Sequence, residues 1–206
     1  MIRWGVIGCG EATEKKSGPA FERVEGSTIE AVMSRNAERA RSYAERHGIK
    51  KWYTNVMDII DDPNVNAIYI ATPPSSHATY AIMAMKAGKP VYVEKPMGRT
   101  FYECELMIEA AKRNPHLATQ GGNQGHSHAN YYHFKAWTEA GIIKNVTHVD
   151  AHMNNSRRWH GYDVNIDRFP QAEPIPDGMD WDLWHTTQQF HEFNSKYHPG
   201  NWRSWY

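Results

Sequence analysis

Short apolar runs alternate with amphipathic stretches from residue 3 to about residue 120. RWGVIG at 3–8 is an apolar run that breaks at glycine, and TIEAVMS at 28–34 is a second. AIYIA at 67–71 is a third, stopped by Pro73 and Pro74, and PVYVE at 90–94 is a fourth. Runs this short, rich in β-branched and aromatic residues and bounded by turn formers, predict buried strands. Between them the period becomes helical. Residues 35–47 place Ala37, Ala40, Tyr43 and Ala44 on one face with charges elsewhere, and Gly48 supplies the stop. Helices are also expected over 77–88 and from about Thr100 to Arg113, and HLATQ at 116–120 offers one more strand. Strands alternating with helices of this length predict an α/β fold, a doubly wound parallel sheet of Rossmann-like arrangement with helices on both faces.

The rhythm breaks near residue 115. Only two of the 12 histidines and two of the eight tryptophans precede that point. Beyond it, residues 127–141 suit a helix, and 145–154 alternate as a strand with one solvated face. Residues 168–184 read as an extended, proline-punctuated loop, and NWRSWY at 201–206 carries no element. The expected organisation is a nucleotide-binding domain over 1–122 and the beginning of a second, α+β domain over 123–206.

Charge and composition narrow the partners. Lys and Arg number 23, as do Asp and Glu, so no net field draws the chain to nucleic acid or to an anionic membrane. No apolar run approaches the ~20 residues of a membrane helix. Two cysteines, Cys9 and Cys104, do not make a disulfide scaffold, and MIRWGVIGCG opens as a strand rather than as a leader. The expected setting is the cytoplasm, with reduced thiols. An uncovered sheet face would favour a homo-oligomer.

The first strand runs into Gly8-Cys9-Gly10-Glu11-Ala12-Thr13, a G-x-G-x-x turn whose third glycine is replaced by Thr13. Gly8 makes the tight turn in this pattern, Gly10 lets backbone approach a pyrophosphate, and the next helix presents its N–H groups and positive dipole end. A nicotinamide dinucleotide is therefore the expected cofactor. The end of the second strand separates NAD from NADP. A carboxylate there accepts from a ribose hydroxyl, and an arginine neutralises the 2′-phosphate. Ser34, Arg35 and Asn36 stand here, with no carboxylate before Glu38, so NADP is favoured over NAD. Asn36 equally suits a helix cap.

Ala71, Thr72, Pro73 and Pro74 follow the third run, at the strand end where open α/β sheets bind ligands. His77 reads either as a ligand contact or as a first-turn helix residue. VEKPMG at 93–98 delivers Glu94 and Lys95 at a strand end, where a lysine can hydrogen-bond a reacting oxygen and a Glu94 salt bridge is the plainer reading. His126, His128, His133, His148 and His152 have spacings seen among metal ligands, but no second cluster accompanies them and no metal is expected.

GVIGCG, IATPPSSH and VYVEKPM, in this order and spacing, resemble the Gfo/Idh/MocA oxidoreductases over roughly residues 2–125. The resemblance implies a nicotinamide cofactor across the sheet edge and a sugar, cyclitol or related polyol as substrate. It further implies Lys95 as the catalytic residue on the reacting hydroxyl and Glu94 near the cofactor. TQGGNQGH at 119–126 is similar to one branch of that family and implies Asn123 and Gln124 near the nicotinamide ribose. WDLW at 181–184 and YHPGNWRSWY at 197–206 resemble the same branch and imply Trp202 and Arg203 as cofactor contacts from the second domain. Packing is the plainer role for Trp181 and Trp184. Family members run well past this length and carry a G-D-x-G-x-H-x-x-D pattern soon after the W-R element, which is not present in this chain. Two other readings stay open: a non-catalytic or truncated dinucleotide-binding module, and a glycosidase using a held NAD.

Overall fold

The computed structural model describes residues 1–150, 168–185 and 189–197. By its contacts the chain forms two compact units, Met1–Ile143 and Lys144–Tyr206. The division expected at 122/123 lies at the end of the last strand, and the contacts keep one further helix with the sheet. Among the described residues no helix is long and apolar enough to cross a membrane.

The first unit is a six-stranded sheet. Its strands are β1 (Ile2–Ile7), β2 (Ser27–Met33), β3 (Lys51–Tyr53), β4 (Ala67–Ile70), β5 (Val91–Glu94) and β6 (Thr119–Gly122). All neighbours pair in parallel, in the order β3-β2-β1-β4-β5-β6. This is the doubly wound order whose direction of winding reverses between β1 and β4. The connections are a π turn (Thr13–Ser17) running into α1 (Gly18–Arg23), then α2 (Ala37–His47), α3 (Val56–Asp61), α4 (His77–Lys86) and α5 (Phe101–Arg113), with α6 (Ala129–Glu139) after the sheet.

The side-chain alternation of the strands builds two cores. Ile7, Ala31, Met33, Ile68, Ile70, Val91 and Val93 face one way and meet Ile59, Ile60, Ala81, Met85 and Met107 of α3, α4 and α5. Val6, Ile29, Val32 and Tyr69 face the other way and meet Tyr43 and Ala44 of α2, with Trp4 and Phe21 packed against them. The parity of β2 changes midway because Trp4 pairs with Ile29 while Gly5 pairs with Ala31, leaving Glu30 as a bulge. α2, α3 and α5 start where a side chain satisfies one of their first N–H groups. Asn36 accepts from Arg39 N at 2.9 Å, and Thr100 and Glu103 form a capping box.

β3 and α3 are elements that the apolar pattern did not predict. They have three and six residues, too few to display a period. A polar cluster holds them at the opposite end of the sheet from the glycine turn. Asp62, 5% exposed, accepts from Lys51 Nζ at 2.9 Å, Tyr53 Oη at 3.0 Å and Asn64 N at 2.8 Å, and Lys89 donates to the carbonyls of Asp62 and Val65.

In the second unit the structure corrects two expectations. Residues 181–185 form a short helix, α7 (Trp181–His185), within the stretch read as an extended loop. Trp181 is 3% exposed, stacks on Trp184 at 4.6 Å and donates from Nε1 to His191 O at 2.8 Å, which gives the two tryptophans packing roles. Residues 145–150 form no strand and pair with none among the described residues; the rest of 145–154 lies outside the described residues.

Burial alone pushes the Asp62 carboxyl up, but hydrogen bonds from Lys51, the Asn64 N–H and Tyr53 outweigh it and hold it below its usual value. Its stabilisation is therefore present above the unfolded carboxylate pKa and is lost as pH falls through the lower folded one. Asp62→Asn is expected to lower the unfolding free energy at neutral pH by about 1–3 kcal/mol. Urea denaturation across pH should show the gap from wild type narrowing below about pH 3.9.

Candidate cofactor site

The sheet leaves a cleft where its winding reverses. Ile7 O accepts from Ala71 N at 2.9 Å and Met33 O accepts from Gly8 N at 2.9 Å, so β1 stays bonded to both neighbours to its last residue. There Gly8 turns with φ +116°, and a Cβ on it would lie 2.6 Å from Ala71 O. Only glycine permits both the dihedral and the approach. A Cβ on Gly10 would meet no atom within 4 Å, so the backbone there borders open space.

Thr13 explains the missing third glycine. It is fully buried, and its Oγ1 lies 2.5 Å from Gly8 O and 3.0 Å from Gly10 O as donor, while accepting from Gly10 N at 3.1 Å. One hydroxyl thus closes the turn on itself. The close packing usually bought by the third glycine moves to Gly18, where a Cβ would overlap Thr13 O and lie 2.6 Å from Tyr43 Oη. Tyr43 Oη donates to the same Thr13 carbonyl at 3.2 Å. The widened π turn ends just before Pro19, which has no N–H to give and whose ring crowds a normal α turn. The N–H groups of the first helical residues after Gly10 have no intrahelical acceptor, and Gly10, just before them, lines the cleft.

The cleft has a volume of about 230 Å³. It brings together Gly8, Cys9, Gly10, Ser34, Arg35, Ala71, Thr72 and Pro73 of the predicted residues. Asn36, expected as a helix cap, lines it as well, and so do Met33, Arg39, Ser76 and Tyr80, which were not among the expected contacts. Arg39 had a signal: it is a second cation four residues after Arg35, in the first turn of α2. Both arginines are exposed, and among the described residues no carboxylate lines the cleft. Cys9 Sγ lies 3.6 Å from Met33 O, and burial pushes its thiol up to about 12, so it packs as a neutral group.

The other predicted residues are placed differently. Glu11 pairs with Lys15 at 2.7 Å, and neither it nor Ala12 or Pro74 lines the cleft. Glu94 ends β5, and Tyr69 Oη donates to its Oε1 at 2.7 Å with Ser17 Oγ 2.7 Å from the same hydroxyl. Burial and then the bond to Glu94 push the Tyr69 phenol upward, so it remains a donor. Lys95 stands exposed just beyond, before a cis peptide to Pro96. Asn123 and Gln124 are exposed after β6, at the same carboxyl edge of the sheet. His77 is corrected from a possible ligand contact to a structural tie. It is 1% exposed, and its ring nitrogens face Pro96 O at 2.8 Å and Thr72 O at 2.7 Å. Trp202 and Arg203 lie outside the described residues. Among the described residues no three His, Cys, Asp or Glu side chains converge as a metal set.

Thr13→Val keeps the shape and removes the hydroxyl that closes the glycine turn. It should cost about 1–3 kcal/mol of stability, read by chemical denaturation, and weaken dinucleotide binding in a fluorescence titration.

Residues 2–122 match the model described as an oxidoreductase family with an NAD-binding Rossmann fold, Gfo/Idh/MocA. Oxidoreductase P35 of Formosa agariphila is 41% identical over 156 residues, which is 76% of this chain and 48% of that protein. The scyllo-inositol 2-dehydrogenase (NADP(+)) of Bacillus subtilis is 35% identical over 114 residues, 55% of this chain and 34% of that protein. The solved structure of myo-inositol 2-dehydrogenase from Lactobacillus plantarum superposes with a TM-score of 0.60 at 28% identity, over 70% of this chain and 43% of that one. The chain spans about half the length, or less, of the relatives it matches. With its strand order, its glycine turn and its E-K-P element, the chain belongs to the Gfo/Idh/MocA family of oxidoreductases.

Proposed function

We propose that this chain carries the cofactor half of an NADP-dependent oxidoreductase that moves hydride between the nicotinamide and a carbon of a sugar, cyclitol or related polyol. The carrying observation is the cleft at the β1–β4 reversal, lined by Ser34, Arg35, Asn36 and Arg39 and, among the described residues, by no carboxylate. Two guanidinium groups and a hydroxyl suit a 2′-phosphate, which a carboxylate at that place would repel. The open space at Gly10 and the free helix start suit the pyrophosphate. The substrate class draws support from relatives named as inositol dehydrogenases.

The bound cofactor supplies a hydride acceptor and donor. The chain's own residues hold it: Gly8 and Gly10 by backbone, Arg35 and Arg39 by charge, and Thr72 and Pro73 as the opposite wall. Lys95, carried from the family resemblance, hydrogen-bonds the reacting oxygen and takes or returns its proton. Glu94, held by Tyr69, keeps the strand end from which Lys95 projects in place. Asn123 and Gln124 offer amide donors and acceptors for polyol hydroxyls.

Fluorescence titration with NADPH and NADH tests the cofactor. NADPH is expected to bind more tightly. Arg35→Ala and Arg39→Ala should each weaken NADPH by about tenfold to a hundredfold, leaving NADH nearly unchanged; equal binding of the two cofactors would overturn the preference. In a hydride-transfer assay over an inositol and sugar panel, Lys95→Ala should lose about 10²–10⁴-fold in turnover with cofactor affinity retained.

A further inference from the structure

His77 opens α4 and is almost wholly buried, yet both its ring nitrogens are spent on backbone. Nδ1 lies 2.8 Å from Pro96 O and Nε2 lies 2.7 Å from Thr72 O. Both partners are carbonyl oxygens of loops at the carboxyl edge of the sheet, and the nitrogen that carries the hydrogen donates to the carbonyl it faces. A side chain needed only to fill space would not set its two ring nitrogens against carbonyls of two separate loops. Here one loop is the connection after β4, whose Thr72 lines the cleft. The other is the connection after β5, where Pro96 directly follows Lys95. From the opposite core, Tyr69 holds the preceding residue, Glu94. The backbone that carries Lys95 is thus tied from both faces of the sheet, and only the His77 tie reaches the cleft wall.

We propose that His77 is a positioning residue that sets Lys95 in register with the Thr72 wall of the cofactor cleft, so that cofactor and lysine meet one substrate. The proposal rests on the reading of Lys95 and the cleft given above. It differs from a packing role in one consequence: the two halves of the ring do separable work. Asparagine offers a donor where Nδ1 stands, and glutamine offers one where Nε2 stands.

The test uses the whole chain as wild type, His77→Asn and His77→Gln. Three quantities are measured: NADPH affinity by fluorescence, thermal unfolding, and the rate at which trinitrobenzenesulfonate labels Lys95 with and without saturating NADPH, read by peptide mass spectrometry. His77→Asn keeps the Pro96 tie and releases Thr72. It should bind NADPH about five- to tenfold more weakly, with Lys95 protected as in wild type once saturated. His77→Gln keeps the Thr72 tie and releases Pro96, so affinity should hold while protection of Lys95 is lost. Wild-type affinity and protection in both variants overturns the proposal. So does a parallel loss of both in step with thermal stability, which is what packing alone would produce. A wild-type chain that fails to bind NADPH overturns the cofactor reading and this proposal together, whereas binding and protection in wild type with parallel variants overturns the positioning role alone.

Discussion

At the centre of the sheet, the end of β1 and the loop after β4 approach so closely that a single methyl group at residue 8 would collide with the Ala71 carbonyl. That approach follows from the winding. The chain leaves β1 toward α1 and α2 on one face, and leaves β4 toward α4 and α5 on the other. The two loops diverge above a tight backbone contact and leave a gap between them. The helix after Gly10 begins next to the residue that lines that gap, with its first N–H groups lacking an intrahelical acceptor. A different residue at position 8 would push the loops apart and spoil both the turn and the strand pairing beneath it.

Around that contact the polar interactions divide by burial. Those that shape the backbone are buried and fully paired: Thr13 Oγ1 inside the turn, Tyr43 Oη on the Thr13 carbonyl, Tyr69 on Glu94, and Asp62 at the far end of the sheet. The charges expected to meet ligand, Arg35, Arg39 and Lys95, are exposed. Exposed charges contribute little to the fold because water screens them. They remain available to an incoming phosphate or hydroxyl, where a bidentate or charge-assisted bond is worth more. Stability and binding therefore rest on different side chains attached to the same rigid turns.

The replacement of the third glycine by Thr13 shows how a departure from a pattern is absorbed. The pattern calls for a small residue so that helix and strand can approach. Here the threonine hydroxyl takes up the carbonyls of Gly8 and Gly10, and the close approach is displaced to Gly18 beside Tyr43. The π turn between Thr13 and Ser17 accommodates that shift together with Pro19. No local rule read at Thr13 would find Gly18, because the π turn brings the Thr13 carbonyl against it and the second crowding group, Tyr43 Oη, comes from α2.

The amino-acid sequence by itself determined the parallel α/β class, the glycine turn, five of the six strands in outline and the cationic end of β2. These depend on local period and on residues adjacent in the chain, where sterics and burial act over a few positions. It did not reveal β3 and α3, which are too short to show a period, or α7, which forms within a proline-punctuated stretch around an aromatic cluster of Trp181, Phe193 and Tyr197. The tertiary structure decided the strand order, the addition of Arg39 and Tyr80 to the cleft, and the passage of His77 from a possible ligand contact to a tie between two loops. Each of those depends on groups that only folding brings within hydrogen-bonding or van der Waals distance.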